Sequence, residues 1–476
     1  MTLTKPILLA LAVPLVLAGC ASTNPKPAFN DVNQTVTARL GEPVQWPRHL
    51  SNPQITQAVD ALLKTNLTAQ SATAMALLNN RSLQADFEQI GISQADLAQS
   101  SRLPNIELAG SWRFPDRPPS AVDVEYSAAG NFLDLLTLPA RKKIAARNLE
   151  QTKLEVADKV LQLAADAQSA FYTLQAQMEL TNRLATIVEV TAAAADFAQR
   201  QYDAGNINDL DLRNQQASAV QSHFDLMQAQ AETQADRERL NRLLGLADGQ
   251  IRWRIADELP ALPATEPPLT NLETLAVKQR LDLAAARSQA ESLAAALRLK
   301  EHTRFIPGLN VGVDSERTPD GQRVTGPTLD LELPLFDQGQ PAVARLMAEY
   351  RQAQDHYQAL AVNVRSEVRQ ARDALLAERA AVQYSQEELL PLPTQVLHET
   401  LLQYNAMGKS VYDLLLAEDR EQMAEQSSLE AQRDYWLARV ALDRAVGGRL
   451  SGEVLPSPAP AEDSPSPEKH QPDHVP

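Results

Sequence analysis

Cysteine is almost absent from these 476 residues: there is one, Cys20. That excludes a disulfide framework within the chain and a thiolate zinc cluster. Glycine is scarce too, 17 residues of 476, about half the usual share of roughly 7%. Folds with many strands and tight turns are therefore disfavoured and a mainly helical body is expected. Aromatic residues make up 5%, too few for a thick globular core, which points to thin, seam-like packing. Basic residues are outnumbered 44 to 60, for a net charge of -16, the wrong sign for a nucleic-acid binder. The seven histidines form no HExxH pair, and no glycine-rich phosphate loop occurs. No metal, no cofactor and no enzymatic activity are expected. Beyond the N-terminus no run of eighteen apolar residues exists, so no transmembrane helix is expected.

What is present begins at the N-terminus. Lys5 precedes an apolar stretch over 7–17, interrupted by Pro14, and then comes Leu17-Ala18-Gly19-Cys20. The stretch is too short to span a bilayer and fits a secretory signal over 1–19. Its ending resembles the lipobox of bacterial lipoprotein precursors, in which the cysteine becomes the acylated N-terminus. The alternative is an ordinary signal followed by a buried free thiol. Lipidation of Cys20 would hold the mature chain on a membrane, each buried methylene contributing about 0.8 kcal/mol. In the lipoproteins this resembles, a residue such as Ala21 after the cysteine goes with outer-membrane delivery. Residues 20–69 then form an anchored N-terminal segment.

The remainder repeats itself at an offset near 200 residues. Leu103-Pro104-Asn105 matches Ile306-Pro307-Gly308, Leu133-Asp134-Leu135 matches Leu329-Asp330-Leu331, and Tyr202 with Asp211-Leu212 matches Tyr404 with Asp413-Leu414. The first repeat covers 70–256, with strands near 105–114 and 126–136 and long helices over 140–204 and 212–244. The second covers 271–449, with strands near 308–315 and 324–334 and helices over 342–405 and 413–446. A proline-rich connector, 257–270, separates them, and a Pro/Ser-rich tail, 450–476, reads as disordered. Residues 140–204 contain neither glycine nor proline and carry an apolar row from Ala157 and Val160 to Ala192 and Ala195 in alternating steps of three and four. Leu154, Leu161, Leu163 and Leu184 lie off that row, so this helix needs more than one neighbour. Pro391 and Pro393 should bend or break the corresponding helix of the second repeat.

The strand-like runs alternate. Ile106, Leu108, Trp112 and Phe114 point one way, and Glu107, Ser111 and Arg113 the other. Leu309, Val311 and Val313 oppose Asn310 and Asp314, and Leu329, Leu331 and Leu333 oppose Asp330 and Glu332. Apolar-out and polar-in fits a membrane barrel wall, while two amphipathic hairpins on a soluble core would show the same period. If the strands span, Val311 and Leu331 face lipid and should reject charge. Glu107, Arg113, Asn310, Asp314, Asp330 and Glu332 are then the lumen candidates. Four strands cannot close a barrel, so several chains would have to share one.

The pattern resembles the TolC-like outer membrane efflux proteins. The residues that carry it are Leu333-Pro334-Leu335-Phe336-Asp337-Gln338-Gly339, its first-repeat partner Asp134-Leu135-Leu136-Thr137-Leu138-Pro139-Ala140, and the tips Gln201-Tyr202-Asp203-Ala204-Gly205 and Gln403-Tyr404-Asn405-Ala406-Met407-Gly408. The resemblance implies a homotrimer in which each chain gives four strands to a twelve-stranded outer-membrane barrel, continued by a periplasmic tunnel of long helices. It implies a passive exit duct of a tripartite efflux or secretion system, partnered by a periplasmic adaptor and an inner-membrane transporter. At the periplasmic tips it implies gate roles for Tyr202, Asp211, Tyr404, Lys409 and Asp413. One acidic position of the family falls on Leu416, which puts a double acidic ring in question. Helix N-capping is the competing role for Asp211 and Asp413. A non-spanning periplasmic coiled-coil scaffold is the competing reading for the whole chain.

Overall fold

The computed structural model of the chain describes residues 22–46, 53–118 and 121–450. The signal segment and the proposed lipidation site Cys20 lie outside the described residues, as does the tail beyond 450. Among the described residues no helix is long and apolar enough to cross a membrane.

Four helices open the described residues: α1 (Lys26–Leu40), α2 (Pro53–Leu62), α3 (Ala69–Asn79) and α4 (Arg81–Ser100). Asn80 separates the last two, closing α3 and capping α4 by accepting from the Leu83 N–H. A hairpin of β1 (Glu107–Arg113) and β2 (Asp123–Asn131) follows. Helix α5 (Phe132–Asp203) then runs for 72 residues, about 108 Å at 1.5 Å per residue, and α6 (Asp209–Leu244) returns. The second repeat has α7 (Leu272–Gln279), α8 (Leu281–Thr303), β3 (Leu309–Arg317), β4 (Arg323–Leu331), α9 (Gln340–Tyr384), α10 (Pro391–Asn405) and α11 (Val411–Val446).

Several boundaries differ from the sequence reading. The second strand ends at Asn131 rather than near 136, because Asn131 caps α5 by accepting from Asp134 N–H. Leu133-Asp134-Leu135 is therefore helical, whereas Leu329-Asp330-Leu331 is strand, and the two are not structural counterparts. The first repeat enters its helix directly at the Asn131 cap, whereas in the second the chain stays non-helical from 332 to Gly339. Pro139 sits inside α5 without ending it. The side chains of Thr137 and Arg141 donate to the carbonyls of Leu133 and Asp134 in the turn before it, where the proline disrupts the helical ladder. Pro391 and Pro393 do interrupt the second descending helix, as a π turn over Ser385–Leu389 in which Leu390 N–H bonds Ser385 O. A proline has no N–H to offer the carbonyl four residues back, and widening by one residue accommodates that.

The apolar row of α5 has different partners along its length. Ala157, Val160 and Ala164 are buried against α1 and α4, and Ala167, Phe171 and Leu174 against α2, α3 and the end of α6. Off-row Leu161 and Leu163 join these clusters. Below Leu174 the row is mostly half-buried where α5 runs beside α6, and Ala192 is exposed. Helices α5, α8 and α9 lie side by side, with α4 on the other flank of α5, so they form a layer, one helix thick. That agrees with the thin packing expected from few aromatics.

The connector is pinned across this layer. Gln175 of α5 donates to Glu258 O (2.6 Å), and Trp436 of α11 donates to Pro260 O (3.0 Å) and stacks on Tyr172, centroids 5.1 Å apart. Glu266 accepts from Arg379 (2.6 Å), Arg439 and the Tyr435 hydroxyl (2.5 Å).

The four strands form one antiparallel sheet, ordered β1-β2-β3-β4. Adjacent strands pair in matched registers, for example Leu108↔Ala128, Ala128↔Val313 and Val313↔Pro327. Within the described residues, β1 and β4 each leave one edge unpaired.

Candidate functional site

The sheet has two chemically distinct faces. Register and side-chain alternation put Leu108, Trp112, Val124, Tyr126, Val311, Val313, Leu329 and Leu331 on one face. These side chains are open to the surroundings: Leu108 is 78% exposed, Val313 54% and Leu329 70%. A contiguous apolar face of this kind is not left bare in water. The six lumen candidates all fall on the opposite face, with Glu107 in the row of Ala129, Gly312 and Thr328, Asp314 facing Ser127, and Asn310 facing Asp330. Glu332 continues the polar row of β4 beyond the strand. Arg113 is ion-paired with Glu125 (2.7 Å) and Asp123 (3.3 Å) and lies 3.9 Å from Glu316. At the far end of the sheet, away from the helices, three strands thus contribute to one charged cluster.

The opposite pole of the molecule holds the two helix-helix tips. In the first, Gly205 takes the left-handed conformation (φ +73) and Asn206 N–H closes on Gln201 O. The second tip repeats these bonds with Gly408 N–H on Gln403 O, but the left-handed residue is Met407 (φ 60). The bend is thus one residue earlier than Gly408, and a bulky side chain occupies the position that favours glycine. Met407 is 95% exposed, so its conformation serves no packing. Met407→Gly should relieve about 1 kcal/mol of backbone strain, read as slower proteolysis or hydrogen exchange at this tip.

Asp211 and Asp413 are not N-caps. Asn208 caps α6 and Ser410 caps α11, and the two aspartates stand three residues on. Asp413 accepts from the backbone N–H (2.9 Å) and hydroxyl (2.8 Å) of Ser410 and lies 3.7 Å from Lys409 Nζ. The Ser410 bonds, then Lys409, hold its carboxyl below the ordinary carboxylate range. A depressed carboxyl contributes stability above its unfolded pKa, about 3.9, and loses it as pH falls through the folded value. Mild acid therefore leaves Asp413 charged. Tyr202 is 40% exposed, and Tyr404 is half-buried.

Sequence reasoning missed Tyr412. Its hydroxyl is buried with no hydrogen-bond partner among the described residues, and burial, then the negative charge of Asp211, pushes its ionisation up. The charge of Asp211, on the first turn of α6, is thus felt at the first turn of α11. The Ser410-x-x-Asp413 capping box was the available signal, since it places Tyr412 on the first turn of α11. No cluster of His, Cys, Asp or Glu that could hold a metal occurs among the described residues.

A long helical layer thus ends in a four-stranded sheet with one exposed apolar face and one charged face. Residues 72–246, nearly the whole first repeat, match the family model described as outer membrane efflux protein. The chain is 24% identical over 390 residues to the cobalt-zinc-cadmium resistance protein CzcC of Cupriavidus metallidurans, over 80% of this chain and 90% of that protein. Its fold is similar to the CmeC outer membrane channel of Campylobacter jejuni (TM-score 0.66, 16% identity, 84% of this chain and 87% of that one). It is likewise similar to the open state of the MtrE outer membrane channel of Neisseria gonorrhoeae (TM-score 0.62, 18% identity, 81% and 90%). The resemblance to TolC-like outer membrane efflux proteins holds in sequence over the first repeat and in fold over most of the chain.

Proposed function

We propose that the chain is the outer-membrane exit duct of a tripartite efflux system: a homotrimer, lipid-anchored through Cys20, passive, and gated at its helix tips. The observation that carries this reading is the sheet. It has one exposed apolar face, one charged face and two unpaired edges, and hydrocarbon does not tolerate open edges. Three copies supply twelve strands and close the ring. A periplasmic scaffold would have no use for such a face. The energy would come from an inner-membrane transporter, reached through a periplasmic adaptor. The relative named for cobalt-zinc-cadmium resistance makes divalent metal ions the first cargo to test.

At the tips, three copies of Asp413 would gather near one axis with Lys409 beside each. Like charges in a constriction repel, and Lys409 and the helix N-termini are the compensating positive groups. In planar-bilayer recordings, Asp413→Asn should weaken block by divalent cations. Asn keeps an acceptor for Ser410, so the tip should stay folded. Replacing Tyr404 by Phe together with Lys409 by Ala should raise resting conductance. Each exposed contact is worth about 1 kcal/mol or less, so the pair is needed. Unchanged block and unchanged conductance would move the gate elsewhere, first to the π turn over Ser385–Leu389.

A further inference from the structure

Beneath the sheet, α5, α8 and α9 enclose a groove of about 830 Å³. Lys143, Arg147, Arg287 and Arg298 line it against a single carboxylate, Glu291. Four cations to one anion is a sharp local inversion in a chain of net charge -16. Glu291 is already engaged, with Arg287 at 3.0 Å and Arg147 at 3.8 Å. Lys143 and Arg298 have no ion-pair or side-chain hydrogen-bond partner among the described residues. His302 Nδ1 lies 2.6 Å from Arg298 O, and Nε2 has no partner among the described residues.

The side of the helical layer on which the groove lies follows from heptad steps, which keep a residue on nearly the same helix face. From Ala157 and Leu161 of α5, buried with α1, steps of seven reach Lys143 and Arg147. From Leu281 of α8, in the same cluster, they reach Ala295 and His302. From Val364 of α9, buried with α7, they reach Tyr357 and Tyr350. All three helices give one answer: the groove is on the face that carries α1 and α7. In a closed tube that face is outside, since a bore has no room for three copies of those helices. One further step up from Lys143 is Leu136, 62% exposed, about 10 Å nearer the sheet. Phe305, 54% exposed, lies just past the end of α8, on the sheet side of the groove.

We propose that this groove holds the phosphate of an anionic lipid headgroup, with the acyl chains rising past Leu136 and Phe305 onto the apolar face of the sheet. Lys143 and Arg298 are the phosphate donors, and Arg147 and Arg287, shared with Glu291, set the surrounding positive field. The proposal rests on the duct reading, because only a sheet in the membrane brings lipid to this depth.

The test is native mass spectrometry of the purified full-length trimer in detergent. Phosphatidylglycerol and phosphatidylcholine of the same acyl composition are offered in competition. Phosphatidylglycerol should be retained at least tenfold over phosphatidylcholine, and Lys143→Ala with Arg298→Ala should abolish the preference while the trimer stays intact. Equal retention of the two lipids, or a preference that survives the double substitution, overturns the proposal and leaves the duct reading standing. If millimolar inorganic phosphate displaces the lipid from the trimer, the groove is a site for soluble phosphate and the lipid assignment is wrong. A chain that yields no detergent-resistant trimer overturns the duct reading, and this inference falls with it.

Discussion

Replacing Glu266 by alanine should lower the stability of the chain by about 3 kcal/mol, from the lower part of the 3–5 kcal/mol range for breaking a buried ion pair from one side. Glu266 lies in the proline-rich connector, its side chain 10% exposed, between Arg379 (17%) and Arg439 (18%). Its Oε1 also accepts from the Tyr435 hydroxyl, and Tyr435 is itself fully buried. Alanine would leave two guanidinium groups and a phenol facing a void. The loss is held to the lower part of the range because Arg379 keeps the carbonyls of Pro263 (3.0 Å) and Ala264 (2.9 Å), and Arg439 has Asp443 at 3.9 Å. Glu266→Gln should lose less, since the amide oxygen still accepts from Tyr435. Denaturant unfolding followed by tryptophan fluorescence is the measurement, because Trp436 stacks on Tyr172 beside the connector. A loss below about 1 kcal/mol for alanine would mean that water screens the cluster and that the connector is held by its backbone contacts alone.

That cluster was not legible in the sequence, and the reason is physical. Composition and periodicity report on repeating structure, and the long helices and alternating strands repeat. Glu266 belongs to a segment whose prolines announce an extended path but not what the path crosses. Arg379, Tyr435 and Arg439 lie more than 110 residues further on, each on a helix where a charge or aromatic reads as a surface or seam residue. The N-terminal helices were hidden for a similar reason. Residues 26–40 carry only three buried positions, Ala28, Val32 and Val36, too few to rise above a polar background. The strand face, by contrast, was plain: the six polar candidates alternate with apolar residues, and a two-residue period transmits sidedness directly. The second strand was misplaced at its end because Leu133 and Leu135 fit a strand period while Phe132, Leu135 and Leu136 fit a helical one, and only the cap at Asn131 decides. At the second tip glycine would be the usual left-handed occupant, but Met407 takes that conformation and the adjacent Gly408 does not.

Arginine at position 313 should prevent assembly, and arginine at 314 should not. Val313 and Asp314 are neighbours at the middle of β3, at the same depth on opposite faces. Val313 is paired with Ala128 and Pro327, and Asp314 with Ser127 and Gly326. At the midplane of a barrel a lipid-facing arginine costs about 2–4 kcal/mol, falling to about 0–1 near the interfaces. Each chain of a trimer pays this separately, so the assembled duct bears it three times. Leu331, by contrast, is the last residue of β4, four residues or roughly 13 Å from mid-strand. Arginine there can reach polar headgroups and should be nearly tolerated, which corrects the expectation from the sequence pattern that Leu331 rejects charge as Val311 does. The measurement is the fraction of heat-modifiable trimer in unheated detergent gels. Val313→Arg should leave little, Leu331→Arg most, and Asp314→Arg an amount close to the parent. Adjacent positions share strand propensity and backbone pairing, so a difference between 313 and 314 reports which face meets lipid. Equal tolerance at the two would place both faces in water, and the sheet would then be an amphipathic cap on a soluble body.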